Sequence, residues 1–327
     1  METNTPILSF VIPVYNVEKY LTTCLNSIYN QKVSLNLFEV IAVDDCGSDN
    51  SSKILSKYKN QYINFTLLKH NKNKGLGAAR NTGFKSVKGE YVWFIDSDDL
   101  LAPNILSKIL KIISSENLDI LMFNINTIDD YGIKNRFYAT YPQTTKIIDG
   151  ISFLNSKKVP HWQKPVTAWS RIQKVSFLKE NNFTYPEGVY YEDEELHLKE
   201  MFICKRMKYI SDVCYYYRVN QASIMRSGIT IKKLIDKIKV FISCLAILKD
   251  YQRQYPQTVK EISRTYLSVL NQQKFIYLQM SPKDRLEIRK ELKKINSSII
   301  FQFTSNYIKF LFYITPSLYE KLSWIIK

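Results

Sequence analysis

Three carboxylates follow an apolar run in the segment Phe94-Ile-Asp-Ser-Asp-Asp99. An apolar run that ends in acids is typical of a buried parallel strand whose carboxyl end opens onto the ligand crevice of an α/β sheet. Asp96, Asp98 and Asp99 would repel one another unless a cation lay among them, and Mg²⁺ or Mn²⁺ takes oxygen ligands that it shares with substrate phosphates. The segment therefore predicts a divalent-metal site. The alternative is an acidic loop in which Asp99 caps the helix that begins near Pro103.

A second acidic segment, Val43-Asp-Asp-Cys-Gly-Ser-Asp49, ends an earlier apolar run. Because the carboxyl ends of parallel strands meet at one edge of a sheet, we expect the two acidic segments to face one crevice. A carboxylate in such a place accepts hydrogen bonds from the ribose hydroxyls or the base N–H of a nucleotide. Ser48 and Asp49 are explained more simply as N-capping residues of the following helix.

The glycine-containing segment Asn73-Lys-Gly-Leu-Gly-Ala-Ala-Arg-Asn-Thr-Gly83 lies between the acidic segments in sequence. Gly75 and Gly77 match the start of a dinucleotide fingerprint, but Arg80 stands where that fingerprint has Gly or Ala. The segment is therefore weak support for a dehydrogenase. Arg80, near a predicted helix start, is placed to meet phosphate or base atoms of a nucleotide.

Four consecutive acids, Glu192-Asp-Glu-Glu195, follow the turn sequence Pro186-Glu-Gly188 and begin a predicted helix. Negative charge at a helix N-terminus is favourable with the helix dipole, so a solvated structural face is the simplest interpretation. A catalytic carboxylate within this acidic quartet is the alternative.

These side chains need a scaffold, and the apolar pattern supplies one. Nearly continuous apolar runs, typical of strands buried on both faces, occur at 7–14, 38–43, 65–68, 91–95 and 120–123. Between them apolar residues recur at helical spacing, as in Leu21, Leu25 and Ile28. Strand alternating with helix predicts an α/β fold with a mostly parallel, doubly wound sheet. A further helix is predicted at about 193–205 and a further strand at 208–219.

The net charge of +16 belongs to the C-terminal part of the chain. Residues 1–200 contain 23 basic and 22 acidic side chains, whereas residues 201–327 contain 23 and 8. The pattern is helical after Gly228, so we predict an α/β domain at 1–225 and a basic helical region at 226–327. Such a charge excess indicates that this region meets an anionic surface or substrate.

Composition excludes several classes of protein. With 45% apolar and 23% charged residues the chain is typical of a folded protein, not of a disordered one. The five cysteines are scattered and never form a C-x-x-C pair, so neither a disulfide framework nor a thiolate zinc site is expected. His70, His161 and His197 lack metal-ligand spacing and are expected to be structural or exposed. No secretory signal or membrane-spanning run is expected, which favours a cytoplasmic location.

Four segments, in this order and spacing, resemble the family 2 glycosyltransferases with a GT-A fold: Ser9-Phe-Val-Ile-Pro-Val-Tyr-Asn16 and the segments at 43–50, 73–83 and 94–99. Stretches beginning at Trp169, Tyr191 and Tyr216 are similar to later parts of the family, so the resemblance covers about residues 7–225. It implies an enzyme of bacterial polysaccharide assembly that inverts configuration and depends on a metal. Such an enzyme moves a sugar from a nucleotide-sugar donor, here a UDP-sugar, to a hydroxyl group of a glycan or of a lipid-diphosphate-linked acceptor.

The resemblance also implies how the base of the donor is bound. Pro13 and Tyr15 are expected to line the base pocket, and Asp45 is expected to accept a hydrogen bond from the uracil N–H, with Asp44 as the alternative. Arg80 is expected to support the same end of the nucleotide.

The reacting end follows from the same resemblance. Asp96 is expected near the ribose, and Asp98 is expected to bind the Mn²⁺ or Mg²⁺ ion that bridges the diphosphate, with Asp96 as a further metal ligand. Asp193 matches the general base of the family, and Glu192 is the alternative. A carboxyl with an ordinary pKa suffices for that role, because the acceptor hydroxyl becomes acidic only as its bond to the sugar forms.

The basic region offers two interpretations. Residues 298–314 predict a helix with a narrow polar stripe and a wide apolar face, and a cationic group precedes it: Lys283, Arg285, Arg289, Lys290, Lys293 and Lys294. This pattern fits peripheral attachment of residues 283–327 to an anionic membrane at its cytoplasmic face. It equally fits a helical bundle with a solvated basic surface.

Two other functions compete with sugar transfer. A nucleotidyltransferase acting on sugar phosphates would use a similar sheet, but its early loop should be rich in glycine and basic residues, unlike Pro13-Val-Tyr-Asn16. A nucleic-acid-binding protein would explain the positive charge. However, acids that line the predicted crevice repel phosphate unless a metal intervenes, so no nucleic-acid partner is expected.

Overall fold

A computed structural model describes residues 5–129, 132–139, 144, 146–156, 166–219, 228–304, 312–313 and 316. The strands are β1 (Leu8–Val14), β2 (Phe38–Asp44), β3 (Phe65–Lys69), β4 (Tyr91–Phe94), β5 (Leu100–Leu101), β6 (Ile120–Asp129), β7 (Gly132–Ala139), β8 (Arg171–Lys174) and β9 (Met207–Arg218). The helices are α1 (Glu18–Tyr29), α2 (Ser51–Gln61), α3 (Leu76–Phe84), α4 (Leu106–Glu116), α5 (Gly150–Leu154), α6 (Val175–Glu180), α7 (Glu192–Ile203), α8 (Ile231–Tyr251), α9 (Pro256–Gln279) and α10 (Pro282–Leu292).

All these strands belong to one mixed sheet, with the order β3-β2-β1-β4-β8-β6-β9-β5 and with β7 added on β6. The first four strands in this order pair in parallel, as the sequence predicts, and the α/β class is confirmed. Beyond β4 the sheet is no longer parallel throughout, and β6 does not lie beside β4. The short strand β8 lies between them and pairs antiparallel with both. Strand β8 was not predicted from the sequence because it contains Arg171 and Gln173. These polar side chains break the apolar run by which buried strands are recognised.

Both faces of the parallel part are buried. Alternate side chains of β1 enter two separate apolar cores: Val11 packs with α7 and the C-terminal helices, and Phe10 packs with α1, α2 and α4. Because side chains alternate across a strand, a strand covered on both faces is buried at every position, as β1 and β2 are, and is therefore mostly apolar. Ser9 and Glu39, two buried polar residues within these strands, hydrogen-bond to each other at 2.6 Å. This double burial fixes where the two strands end, and so where the polar residues after them lie.

The basic helices pack directly on the α/β part. Leu196 and Met201 of α7 share one apolar core with Leu234, Ile238 and Leu245 of α8. The predicted helix at about 193–205 and the predicted strand at 208–219 are confirmed as α7 and β9. The division of the chain near residue 225 remains a prediction from composition.

The predicted membrane-active helix lies largely outside the described residues. Its first residues, Ser298–Gln302, form a 3₁₀ turn, and residues 305–311 and 314 are not among those described. Within the described part of the chain, no helix is both long enough and apolar enough to cross a membrane.

Candidate active site

The two acidic segments leave the sheet at the same edge. Val14 pairs with Asp44 at the ends of β1 and β2, and the amide of Ile95, just after β4, donates to the carbonyl of Val11 at 3.0 Å. The loops that follow β1, β2 and β4 therefore begin side by side at one edge of the sheet. This is the edge at which open α/β sheets bind ligands.

The residues expected to bind the base lie after β1 and β2. Pro13 and Asp44 are buried at the strand ends, whereas the Tyr15 ring is 51% exposed and is free to cover a flat ligand. Next to them, Asp45 is buried and accepts hydrogen bonds from the amides of Lys74 (2.8 Å) and Gly75 (2.9 Å). Asp45 thus holds the loop that leads into α3.

His70 supports Asp45 from β3. Its Nδ1 lies 2.6 Å from Asp45 Oδ1, and its Nε2 lies 2.9 Å from the Thr82 hydroxyl of α3. His70 is buried and hydrogen-bonded, so of the two expectations for this residue, structural or exposed, the structural one is correct. The sequence did not indicate that its partner would be a candidate donor-binding carboxylate.

The capping residues after β2 are partly as predicted. Helix α2 begins at Ser51 with Asn50 at its N-cap, and that residue makes no capping hydrogen bond. The Asp49 carboxylate accepts from the Ser51 amide at 3.0 Å and from the Glu18 amide of α1 at 2.8 Å. Asp49 therefore satisfies backbone donors at the start of two helices, a structural role.

The third acid of the Asp96-Ser-Asp-Asp99 loop does not cap a helix. Asp99 is buried and accepts from the Tyr215 hydroxyl at 2.7 Å and from the Arg218 amide at 2.6 Å, both on β9. The capping alternative is wrong, because α4 begins at Leu106 with Ile105 at its N-cap. Asp99 instead anchors the acidic loop to β9.

Asp96 and Asp98 are the half-exposed acids of this loop. Burial, followed by the charge of Asp96, raises the pKa of Asp98 to about 6. Burial and the charges of Asp98 and Asp96 also raise the pKa of Asp99 well above its usual range. Because the ionisation of Asp98 and Asp99 is disfavoured by burial and by neighbouring acids, a cation bound beside them would be stabilised.

The donor set fits a shared metal ion and does not fit a closed metal cage. Among the described residues, no group of three or more acidic, histidine or cysteine side chains converges on one point. Mg²⁺ and Mn²⁺ commonly use only one or two carboxylates and complete their coordination with water and substrate phosphates. Asp98, with Asp96 beside it, offers that partial set at the sheet edge.

Arg80 joins the acidic loop to the acidic quartet. Its guanidinium is buried, with Nη2 at 2.9 Å from Asp96 Oδ1 and Nη1 paired with Glu192. It also lies over the Tyr185 ring, 5.2 Å from the centroid. Because both ends of the guanidinium are occupied by carboxylates, Arg80 holds the start of α7 against the Asp96 loop.

Asp193 is the half-exposed neighbour of this ion pair. Burial, followed by the charge of Glu192, raises the pKa of Asp193 to about 7, and Arg80 and Arg171 oppose that shift. The sequence had suggested that an ordinary pKa would be enough for a base, and the structure gives a higher one. Glu192 is buried and paired with Arg80, so Asp193 is the better placed of the two candidate bases. The interpretation of the quartet as a solvated face is wrong, since its first member is buried.

A buried ion pair fixes α7 to the sheet. Arg171 Nε of β8 lies 2.8 Å from Glu200 Oε2 of α7, and neither side chain is exposed. Gln173 donates to the other oxygen of Glu200. None of these three residues was predicted from the sequence. The only signal there is two oppositely charged residues, Arg171 and Glu200, in otherwise largely apolar surroundings.

The described geometry can be compared with known proteins. The model of Glycosyl transferase family 2 matches residues 9–168, about half of the chain, which includes both acidic strand ends and Arg80. The chain belongs to glycosyltransferase family 2.

Two curated relatives of this family 2 member have names that refer to poly(ribitol-phosphate). The poly(ribitol-phosphate) beta-glucosyltransferase of Bacillus spizizenii is 31% identical over 217 residues, which are 65% of this chain and 32% of that protein. The poly(ribitol-phosphate) beta-N-acetylglucosaminyltransferase TarS of Staphylococcus aureus is 31% identical over 212 residues, 64% of this chain and 35% of TarS. The chain thus spans about a third of the length of these two relatives.

A solved structure shares the fold of this family 2 chain. Residues 1–349 of TarS, crystallised in complex with UDP-GlcNAc, superpose with a TM-score of 0.72 and 24% identity. The match covers 87% of this chain and 79% of the TarS fragment. The resemblance confirms the GT-A fold that the sequence motifs had indicated.

Proposed function

We propose that this chain transfers a sugar from a UDP-sugar to a hydroxyl group of a glycan or lipid-linked acceptor, with inversion at the anomeric carbon. The observation that carries this proposal is the Arg80 bridge, because one buried guanidinium binds Asp96 of the donor side and Glu192 of the acceptor side. This bridge supports the proposal that the partly buried carboxylates of Asp98 and Asp193 face one crevice. Donor and base are thereby brought within reach of the same substrate.

The proposed donor position follows the sheet edge. The base lies against Pro13 and Tyr15, near Asp44 and Asp45. A carboxylate has about four acceptor positions, and Asp45 uses three on His70, Lys74 and Gly75, which leaves capacity for a uracil N–H. The UDP-GlcNAc complex of TarS, a relative with the same fold, supports the choice of nucleotide.

The proposed reaction is a single displacement. Asp193 takes the proton of the acceptor hydroxyl while its oxygen bonds to the anomeric carbon from the face opposite the diphosphate, and the bond from that carbon to the diphosphate oxygen breaks. The proton ends on Asp193, UDP leaves, and the configuration inverts. General-base catalysis of this kind contributes about 10²–10⁴-fold. A divalent ion held by Asp98 and Asp96 would neutralise the charge that builds on UDP.

The metal and donor assignments are tested by titrating UDP into the protein in a calorimeter, with and without Mn²⁺. We expect wild-type protein to bind UDP more tightly with Mn²⁺, and Asp98→Asn to lose that gain, because the variant removes a metal oxygen ligand. Mutation of residues that only orient a metal's ligands already lowers metal affinity by about 10- to 100-fold. Loss of a ligand itself should therefore weaken metal binding by about 100-fold. Asp212→Asn, at an exposed pair with Lys108, is the matched control and should behave as wild type.

Two results would contradict these assignments. UDP uptake that Asp98→Asn leaves unchanged in Mn²⁺ would move the metal away from this loop. Failure of wild-type protein to bind UDP, and to release UDP from UDP-glucose or UDP-GlcNAc, would overturn the transferase proposal itself.

We also propose that the basic region contacts an anionic membrane, where a lipid-linked acceptor is presented. Lys283, Lys290, Lys293 and Lys294 are exposed on and just after α10. Near anionic lipid each positive charge contributes about 1 kcal/mol. The proposed location is the cytoplasmic face of the membrane.

Vesicle sedimentation tests the membrane contact. We expect wild-type protein to bind phosphatidylserine-containing vesicles, and a Lys290→Glu/Lys293→Glu variant to bind them more than about tenfold less well, because the charge changes by four. Lys57→Glu/Lys59→Glu makes the same change at two exposed positions of α2 and should bind as wild type. Equal loss in both variants would reflect net charge alone and would contradict a contact through α10.

A further inference from the structure

Helix α8 of the basic region holds the segment that leads into the candidate base. The Asp236 carboxylate is buried and accepts a hydrogen bond from the backbone N–H of Tyr190 at 3.1 Å. Lys232 donates to the same carboxylate oxygen at 2.5 Å and to the carbonyl of Gly188 at 2.6 Å. One turn of α8 is thus attached at two backbone positions just before α7.

The segment it holds has an unusual conformation. Tyr191 is the N-cap of α7 and has φ of 65° and ψ of 32°, the left-handed region that a residue with a side chain rarely adopts. Such conformations persist only where the surrounding structure enforces them, and they cluster at functional sites. Asp193 lies two residues further on, so the direction of its side chain depends on this turn.

A second contact acts on the same turn from α8. The ammonium of Lys237 lies 5.2 Å from the centroid of the Tyr191 ring. Lys237 follows Asp236 directly in α8. Neighbouring residues of one helix therefore contact the backbone N–H of Tyr190 and the ring of Tyr191. Further along, the apolar side chains of α7 and α8 pack in one core.

We propose that Asp236 is a positioning residue for Asp193, acting through the backbone N–H of Tyr190. This inference rests on the proposed function, because it assigns Asp236 an effect on the step in which Asp193 accepts a proton. It gives the basic region a part in catalysis that is independent of any membrane contact. Residue 236 lies beyond the part of the chain that the family model matches.

The test compares three variants of the full chain. Asp236→Ala removes the acceptor of the Tyr190 N–H, and Asp236→Asn keeps an oxygen that can accept it. Asp250→Ala removes an exposed acid at the other end of α8 and is the matched control. Initial rates of UDP release are measured over a range of UDP-GlcNAc or UDP-glucose concentrations, and UDP affinity is measured by calorimetry.

We expect Asp236→Ala to lower kcat by about 10- to 100-fold, the size of effect that a misplacement of about 1 Å produces, while KM for the donor and UDP affinity remain near wild type. Asp236→Asn should recover most of kcat. A simple loss of folding in Asp236→Ala would lower the number of UDP-binding sites counted by calorimetry together with kcat, whereas the inference predicts a wild-type number of sites.

Hydrogen–deuterium exchange provides a readout that needs no turnover. The peptide covering 186–195 should exchange faster in Asp236→Ala than in Asp236→Asn or Asp250→Ala. If Asp236→Ala matches Asp250→Ala in kcat or in this exchange, the inference is overturned. Absence of UDP release by wild-type protein would instead refute the proposed function, and the exchange comparison would still decide whether Asp236 holds the turn.

Discussion

Replacing Asp193 by Asn is expected to lower kcat for UDP release by about 10²–10⁴-fold, with UDP affinity unchanged. The amide is nearly the size of the carboxylate but cannot take up the proton of the acceptor. Donor affinity should persist because the Arg80 bridge to Asp96 does not involve Asp193. The measurement is steady-state UDP release together with calorimetric UDP binding. Turnover retained in Asp193→Asn and lost in Glu192→Gln would reassign the base to Glu192.

The same prediction includes a pH profile. Burial and the charge of Glu192 raise the pKa of Asp193 to about 7, and a base must be deprotonated to act. The kcat/KM of wild-type protein should therefore fall about tenfold per pH unit below that value and level off above it. Glu195→Gln, two residues further along the first turn of α7, should keep the profile of wild type. An acid limb centred near pH 4 would contradict the raised pKa.

Replacing Arg80 by Met is expected to cost about 3–5 kcal/mol in the free energy of unfolding, the usual cost of removing one partner from a buried ionic cluster. Met fills much of the space but leaves Asp96 and Glu192 without their counter-ion. The Glu192 side chain is only 7% exposed, so water cannot replace the lost guanidinium. Urea unfolding at pH 7 measures the change.

Two variants control the Arg80 prediction. Lys108→Met breaks an exposed pair with Asp212 and should cost no more than about 1 kcal/mol. Arg80→Met/Glu192→Gln should be more stable than Arg80→Met alone, because the second change removes the unpaired buried charge. If Arg80→Met lowered the free energy of unfolding no more than Lys108→Met does, the guanidinium would not be the link between the donor and acceptor sides.

These expectations share one physical origin. Asp98, Asp99 and Asp193 have raised pKa values because folding removes them from water and places them near other acids. Arg80 and Arg171 oppose the shift at Asp193, and Arg218 opposes it at Asp98. Raised carboxyl pKa values of this kind are common at active sites.

The sequence allowed the parallel half of the sheet to be predicted closely. A strand covered on both faces is mostly apolar, and the acids at and after the ends of β2 and β4 then mark the carboxyl ends of these strands. The strand β8 could not be predicted in this way. Its Arg171 is tolerated in the core because it pairs with Glu200 of α7 and donates to the carbonyls of Val166 and Thr167.

For the site, the sequence by itself indicated the candidates: Asp96, Asp98 and Arg80 from residue type and spacing, and Asp193 of the acidic quartet from the family resemblance. Only the tertiary structure decided how these residues are used. It showed that Glu192 neutralises Arg80, that Asp99 anchors its loop to β9, and that Asp236 reaches the turn before Asp193. The physical reason is that residue type and local periodicity are properties of short segments. Burial and ion pairing depend instead on residues that are distant in sequence and meet only when the chain folds. Arg80 and Asp96 are 16 positions apart, and Asp98 and Arg218 are 120 positions apart.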